Sequence, residues 1–318
     1  MKIAMIGSGA TGSVFASFLK LGGADVYLVD TYKAHMDKIA RSGMSFKNAA
    51  TGETHVLTGF HTAYDATQIG VMDIIIILVK TTGTDAVMPS VLPAVGPETV
   101  VLSLQNGFGN EEVLKKYVPA ARIMYGSGNV GTELPEPGCC VGKPFASVCL
   151  HFGALEENDI TDRAGAYLLE TFKRGGCTAS FDKDIRFFVW NKAVGNSLSN
   201  ALQGLVRLPG RYMYDENSKW IKRAILREGC DVANAAGVDG EKIWDNWSRQ
   251  DGPSELEMDY YPSTAQDMLM YKRQTEIDSF NGAIVMYGKR YGVPTPVNET
   301  ITRLVKHIQS HYDEQYQT

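Results

Sequence analysis

The stretch Gly7-Ser8-Gly9-Ala10-Thr11-Gly12 constrains the fold more than any other part of the chain. It follows a short apolar run, Lys2 to Gly7, and opens a helical pattern from Ala10 to Leu21. A lone G-x-G-x-x-G is a weak signal, but between a strand and a helix it implies a Rossmann-type unit. Gly7 permits the tight turn, and Gly9 lets the backbone approach a pyrophosphate with no Cβ between them. Gly12 lets the helix pack close to the strand. Unpaired N–H groups at the helix start face the anion, so Gly7, Ser8, Gly9, Ala10, Thr11 and Gly12 form the candidate cofactor loop. The plain alternative is a glycine-rich turn without a ligand, and Asp30 argues against it. Asp30 ends the second apolar run, Asp25 to Asp30, where a carboxylate accepts from ribose hydroxyls and repels a 2′-phosphate. NAD(H) is therefore favoured. NADP(H) is the alternative, with Lys33 the nearby cation, although a solvated helix residue is its simpler reading.

The rest of the first third alternates in the same way. Thr31 to Ser42 reads as a helix and Asp73 to Val79 as a strand buried on both faces. Thr84 to Leu92 reads as a helix despite Pro89, and Thr99 to Leu104 as another buried strand. Strands alternating with helices imply parallel βαβ units. Lys80 and Asn106-Gly107 directly follow two of these strands, where open α/β sheets bind ligands. The alternatives are a solvated charge for Lys80 and an ordinary turn for Asn106-Gly107. Arg122 to Gly128, Cys140 to Val141, Ala146 to Phe152 and Thr178 to Phe181 read as later strands of the same sheet, partly antiparallel, with a helix at Asp159 to Arg174. Beyond Asp182 strand signals almost vanish, and Asp184 to Val206, Lys219 to Ala236 and Ala265 to Tyr291 are helical in period. The expected fold is α/β: a Rossmann-type dinucleotide-binding domain over 1–182 and an all-helical C-terminal domain over 183–318. The length of 318 residues suits two domains.

A formal net charge of −5 disfavours nucleic acid and anionic membrane surfaces as partners. No apolar run approaches the roughly 20 residues a membrane helix needs. The N-terminus reads as strand and turn rather than signal peptide, so a cytoplasmic location is expected. The five cysteines contain no C-x-x-C and read as free thiols, and no metal-ligand spacing is present. Asn298-Glu299-Thr300 reads as a helix start rather than a glycosylation acceptor.

None of the six histidines has a recognisable catalytic context, and each reads as a surface or structural residue. Lys192 is a stronger candidate. Asn196 and Asn200 follow it at i+4 and i+8, so the three share one helix face amid apolar neighbours. That pattern is either a polar groove or a solvated face. Ser263-Thr264, Gln266-Asp267 and Thr275-Glu276-Ile277-Asp278 form a second polar set, in which Glu276 pairs with Lys192 if their helices face each other. Trp244, Trp247, Tyr260 and Tyr261 read as helical core, with a pocket wall or a subunit contact as the alternatives.

Over nearly its whole length the chain resembles the ketopantoate reductase family. The resemblance rests on the glycine motif, Val79-Lys80, Gln105-Asn106-Gly107, and Trp190-Asn191-Lys192 with Asn196 and Asn200. Ser263-Thr264-x-Gln266-Asp267 and Thr275-Glu276-Ile277-Asp278 with Asn281-Gly282 complete it. It implies a Rossmann-type domain followed by a helical one, with the active site in the cleft. Lys192 then matches the general acid that protonates the keto oxygen as hydride arrives, and Glu276 the second catalytic carboxylate. Asn106 matches a residue touching both the nicotinamide end and the substrate, and Asn196 and Asn200 match substrate-binding positions. The family's substrate-binding serine falls at Ser263 or Thr264, depending on which motif is counted from. Asp30 stands where NADP-using members carry a basic residue. The implied activity is reduction of ketopantoate to pantoate. The alternatives are a D-mandelate-type 2-hydroxyacid dehydrogenase using NADH and, more remotely, a non-catalytic dinucleotide sensor. The expected partner is a small 2-keto acid, and a homodimer through the helical region is the candidate assembly.

Overall fold

A computed structural model describes residues 1–250, 252 and 258–315. The chain divides into two compact units. The first comprises Met1–Asn106 with Asn110–Phe188, and the second Gly107–Gly109 with the chain from Val189 onward.

The strands of the first unit are β1 (Lys2–Ile6), β2 (Asp25–Val29), β3 (Met44–Asn48), β4 (Thr54–Leu57), β5 (His61–Ala63), β6 (Met72–Ile77), β7 (Val95–Ser103), β8 (Ile123–Gly128), β9 (Val130–Glu136), β10 (Cys139–Pro144), β11 (Leu150–Ala154) and β12 (Ala179–Phe181). Eight of them form one sheet in the order β12-β11-β8-β7-β6-β1-β2-β5. The run from β5 to β8 is parallel, and β11 joins β8 antiparallel. The helices α1 (Ala10–Leu21), α2 (Lys33–Ser42), α3 (Thr84–Val91), α4 (Asn110–Leu114) and α5 (Asp159–Arg174) intervene. The isoleucines of β6 show why the strands lack polar alternation. Ile74 and Ile76 enter one core with Phe15, Phe18 and Phe172, while Ile75 and Ile77 enter the opposite core with Met88 and Val91. Burial of each such side chain contributes about 1.5–3 kcal/mol, so both sheet faces are strongly specified.

A second sheet, β4-β3-β10-β9, departs from the expectation. Cys140-Val141 lies in this small sheet and not in the large one. The reason is packing. Cys140 is buried with its Sγ 3.6 Å from Ser17 Oγ, and a Cβ on Gly142 would stand 2.9 Å from Val14 Cγ1, so β10 lies on α1. The β3–β4 hairpin is too short to give a clear period and was not expected.

The second unit carries α6 (Ile185–Val206, which begins just before it), α7 (Glu216–Ala235), α8 (Gly240–Trp247), α9 (Ser263–Leu269), α10 (Asn281–Tyr291) and α11 (Pro296–Gln309). Ala265 to Tyr291 is not one helical stretch. Lys272 adopts φ 44° and Arg273 N–H turns back to Asp267 O at 3.1 Å, ending α9 before a short helical turn at Ile277–Ser279. Buried and half-buried polar groups fix the other helices. Glu228 of α7 accepts from the Val297 and Asn298 amides, at 2.8 and 2.9 Å, satisfying the open start of α11. Asn281 Nδ2 donates to Asn298 Oδ1 at 2.9 Å and to Ser197 O of α6 at 3.1 Å. Asn298 is thus a buried helix-start residue.

Candidate active site

The glycine loop has the geometry that a pyrophosphate requires. Gly7 sits at φ 92°, and a Cβ there would stand 2.5 Å from Val79 N. A Cβ on Gly12 would stand 2.0 Å from Gly7 O, so α1 approaches the loop only because residue 12 has none. At Gly9 a Cβ would meet nothing within 4 Å, which leaves this backbone open to a ligand. Gly9 caps α1 without a side-chain bond, and Ser13 N–H to Gly9 O is the first helical bond. The amides of Ala10, Thr11 and Gly12 therefore have no acceptor inside the helix. The Thr11 hydroxyl is engaged with Thr132 Oγ1 of β9 at 2.9 Å, so its side chain ties the loop to the small sheet.

Asp30 does more than end β2. Its Oδ2 accepts from Ser8 N–H at 2.8 Å and its Oδ1 from Tyr32 N–H at 2.9 Å. A carboxylate offers about four acceptor positions, so capacity for ribose hydroxyls remains. Lys33 begins α2 with its Nζ 5.6 Å from the Tyr64 ring centre.

The strand ends are held by Gln105, which the sequence marks only as part of the Gln105-Asn106-Gly107 run and without a role. Its Nε2 donates to Val79 O and Thr84 Oγ1, both at 2.8 Å, and its Oε1 accepts from Ser103 Oγ at 3.0 Å. It therefore clamps the ends of β6 and β7, next to Lys80 and Asn106. Lys80 is half-buried, and Asn106 is exposed with its carbonyl held by Asn110 Nδ2 at 3.3 Å. Gly107 has φ 83° and would place a Cβ 2.2 Å from Ser279 O. Phe108, next along, stacks on Trp190 at 4.5 Å between ring centres. The glycine after Asn106 is thus a close-approach residue rather than an ordinary turn.

On α6, Lys192, Asn196 and Asn200 are all half-buried, while Ala193, Val194, Ser197, Leu198 and Ala201 are buried. The stripe lies partly within the protein. Loss of hydration lowers the Lys192 pKa to about 8, because the ammonium form is the one disfavoured. Trp247 lies beside the stripe. A Cβ on Gly195 would stand 2.1 Å from its Cζ2, and its Nε1–H donates to Asn191 O at 3.0 Å. Gly195 is the sequence signal that could have marked this contact. Trp244 instead lies under the Arg227 guanidinium, 3.8 Å from the ring centre.

Ser263 is exposed and Thr264 is buried. A Cβ on Gly204 of α6 would stand 2.5 Å from Met268 Sδ, and Thr264 lies one turn before Met268 on that face of α9. Of the two hydroxyls, that of Thr264 therefore lies on the α6 side of α9 and that of Ser263 on the exposed side. Asp267 is buried and bonded to Arg273 Nε at 2.6 Å. In the Thr275–Asp278 run, Thr275 Oγ1 donates to Gln309 Oε1 at 2.9 Å, Ile277 enters the core and Asp278 pairs with Lys306. Glu276 is half-buried between these anchored neighbours. Among the described residues no group of three or more His, Cys, Asp or Glu could hold a metal ion. None of the helices among them is long and apolar enough to cross a membrane.

A parallel sheet of this order with an open glycine loop, followed by a helical unit, defines an NAD(P)-dependent oxidoreductase acting on CH–OH groups. The chain belongs to the ketopantoate reductase family: "Ketopantoate reductase PanE/ApbA" matches residues 3–143 and "Ketopantoate reductase PanE/ApbA C terminal" matches 184–309. The 2-dehydropantoate 2-reductase of Streptococcus pyogenes serotype M6 is 27% identical over 315 residues, covering 96% of this chain and 97% of that protein. A D-mandelate dehydrogenase solved with NADH and anilino(oxo)acetate has a TM-score of 0.86 at 27% identity, over 98% of this chain and 99% of the other. The 2-dehydropantoate 2-reductase of Geobacter metallireducens has a TM-score of 0.83 at 26% identity, over 96% and 99%.

Proposed function

We propose that the protein reduces a 2-keto acid to the 2-hydroxy acid at the expense of NADH or NADPH, with ketopantoate as substrate and pantoate as product. The observation that carries this reading is Lys192, a lysine with a pKa lowered to about 8 in a half-buried stripe with Asn196 and Asn200. The amides of the Gly7–Gly12 loop would hold the pyrophosphate and Asp30 the adenosine ribose, and Lys80 and Asn106 would hold the nicotinamide end. Held by these residues, a reduced nicotinamide would supply the hydride that the carbonyl carbon accepts. Lys192 donates its Nζ proton to the keto oxygen, which would otherwise become an alkoxide, and its positive charge stabilises that oxygen beforehand. At pH 7 a group with a pKa near 8 is mostly protonated and so ready to donate. Oxidation of the hydroxy acid needs the neutral amine, which the lowered pKa makes accessible. Glu276 orients substrate and lysine, and Asn196, Asn200 and Thr264 or Ser263 bind the substrate's polar groups.

A second reading has a specific observation in its favour. Asp30 supports NADH as donor, and the likeness to the D-mandelate dehydrogenase solved with NADH supports a bulkier branched or aromatic 2-keto acid as substrate. A four-way comparison tests both: NADH and NADPH, each with ketopantoate and with an aromatic 2-keto acid. Turnover of ketopantoate supports the first reading. Turnover of only the aromatic acid replaces it with the second. Nucleotide binding without turnover of any keto acid would leave the chain a dinucleotide sensor and contradict both.

A further inference from the structure

His35 is fully buried on α2, beneath the loop after β1, and no catalytic step uses it. Its hydrogen bonds run in one direction. Gly138 N–H donates to His35 Nδ1 at 2.9 Å, which makes that nitrogen the acceptor and puts the ring proton on Nε2. Nε2 lies 3.0 Å from Ser13 Oγ, and Ser13 Oγ donates to Ser8 O at 2.8 Å. Both backbone polar groups of Ser8 are thus held, the carbonyl of the Ser8–Gly9 peptide by Ser13 and the N–H of the Gly7–Ser8 peptide by Asp30. The Ser8–Gly9 peptide bond is trans, so the Gly9 N–H points opposite to the Ser8 carbonyl. With the carbonyl drawn into the buried interior, the Gly9 amide faces outward, on the residue whose Cβ position is open.

We propose that neutral His35 is a positioning residue for the dinucleotide: through Ser13 it pins the Ser8 carbonyl and so aims the Gly9 amide at the pyrophosphate. The inference rests on the reading of this loop as the dinucleotide site. The imidazole is suited to the task only when neutral, because a protonated Nδ1 would turn a donor onto the Gly138 N–H. Burial holds its pKa below the ordinary 6.5, against the opposing pulls of the Asp30 charge and of the Ser8 backbone. The other polar neighbours are the Tyr32 ring, 6.0 Å away between ring centres, and, at the Gly138 turn, Lys38 packed on that glycine and Glu136 bonded to Cys139.

The test is the dissociation constant of NADH, read by fluorescence titration from pH 5 to 8, together with kcat at saturating NADH. Four proteins are compared: wild type, His35→Phe, His35→Gln and Ser13→Ala. Glutamine offers an acceptor oxygen and a donor nitrogen and does not titrate. Expected in H35F is a dissociation constant raised about tenfold at pH 7.5, with kcat within about twofold of wild type. S13A, which leaves the imidazole in place, is expected to show the same weakening and keeps the test valid if H35F fails to fold. H35Q is expected to bind as wild type does at pH 7.5. Wild-type affinity should stay level through pH 6.5, because the imidazole titrates lower than usual, and fall only in more acid solution, whereas that of H35Q stays level throughout. Unchanged binding in S13A, or an acid limb retained in H35Q, overturns the proposal. Failure of wild type to bind NADH or NADPH at any pH overturns the reading of the loop, and the proposal with it.

Discussion

The loop after β1 and the polar stripe on α6 handle charge by different means. In the loop the working groups are backbone amides, and their directions follow from three glycines and a few hydrogen bonds within the first unit. On α6 the working groups are long side chains. Their chemistry depends on how much protein surrounds them, as the lowered pKa of Lys192 shows. Dipoles fixed by the backbone bind a resident anion without titrating. A lysine whose hydration is cut back can hold or release a proton near neutral pH. On the proposed function, one region serves binding and the other proton transfer, and each should fail in its own way.

The sharpest separation is expected from Lys192→Ala. Removing the proton donor should lower turnover by about 1,000-fold while NADH binding changes little, measured by steady-state rates and by titration. Next comes Gly12→Ala. Its Cβ would stand 2.0 Å from Gly7 O, so the loop must open; NADH binding should weaken about 100-fold, with a stability loss of about 1–3 kcal/mol in thermal unfolding. A smaller effect is expected of Asp30→Asn. It removes the charge that repels a 2′-phosphate and one of the two acceptors used by Ser8 and Tyr32. NADH affinity should fall about tenfold and the kcat/KM ratio of NADPH to NADH should rise by a similar factor. If K192A released the nucleotide, or G12A lowered kcat at saturating NADH as strongly as it weakens binding, the division between the regions would not hold.

The two regions also differ in how openly the sequence displays them. The glycine loop is legible because its constraints are local: six residues between a strand and a helix state both the turn and the ligand. The isoleucine run of β6 likewise reads as a strand covered on both faces. The small sheet was missed because β4 has only four residues and β10 gains its place from long-range packing on α1. In the helical unit, i+4 spacing identified the face that carries Lys192, Asn196 and Asn200. It could not identify Trp247, which reaches α6 from α8 over Gly195, nor show which of Ser263 and Thr264 is buried, which requires knowing which side of α9 meets Gly204. The expected helix from Ala265 to Tyr291 failed at Lys272, where a left-handed residue turns the chain in a way its side chain does not announce. His35 read as merely structural because its Gly138 partner lies far along the chain.

The proposed function turns on Lys192 as the proton donor, and the pH dependence of both reaction directions tests that role most directly. Reduction needs the ammonium form, so its kcat should fall as pH rises through about 8, whereas oxidation of the hydroxy acid needs the amine and should rise through the same region. Both limbs should disappear from the residual activity of Lys192→Met, which keeps the bulk and cannot titrate. Opposed limbs near pH 8 that vanish in K192M would establish the assignment. Limbs that persist in K192M, or a wild-type profile level from pH 7 to 9 in both directions, would contradict it.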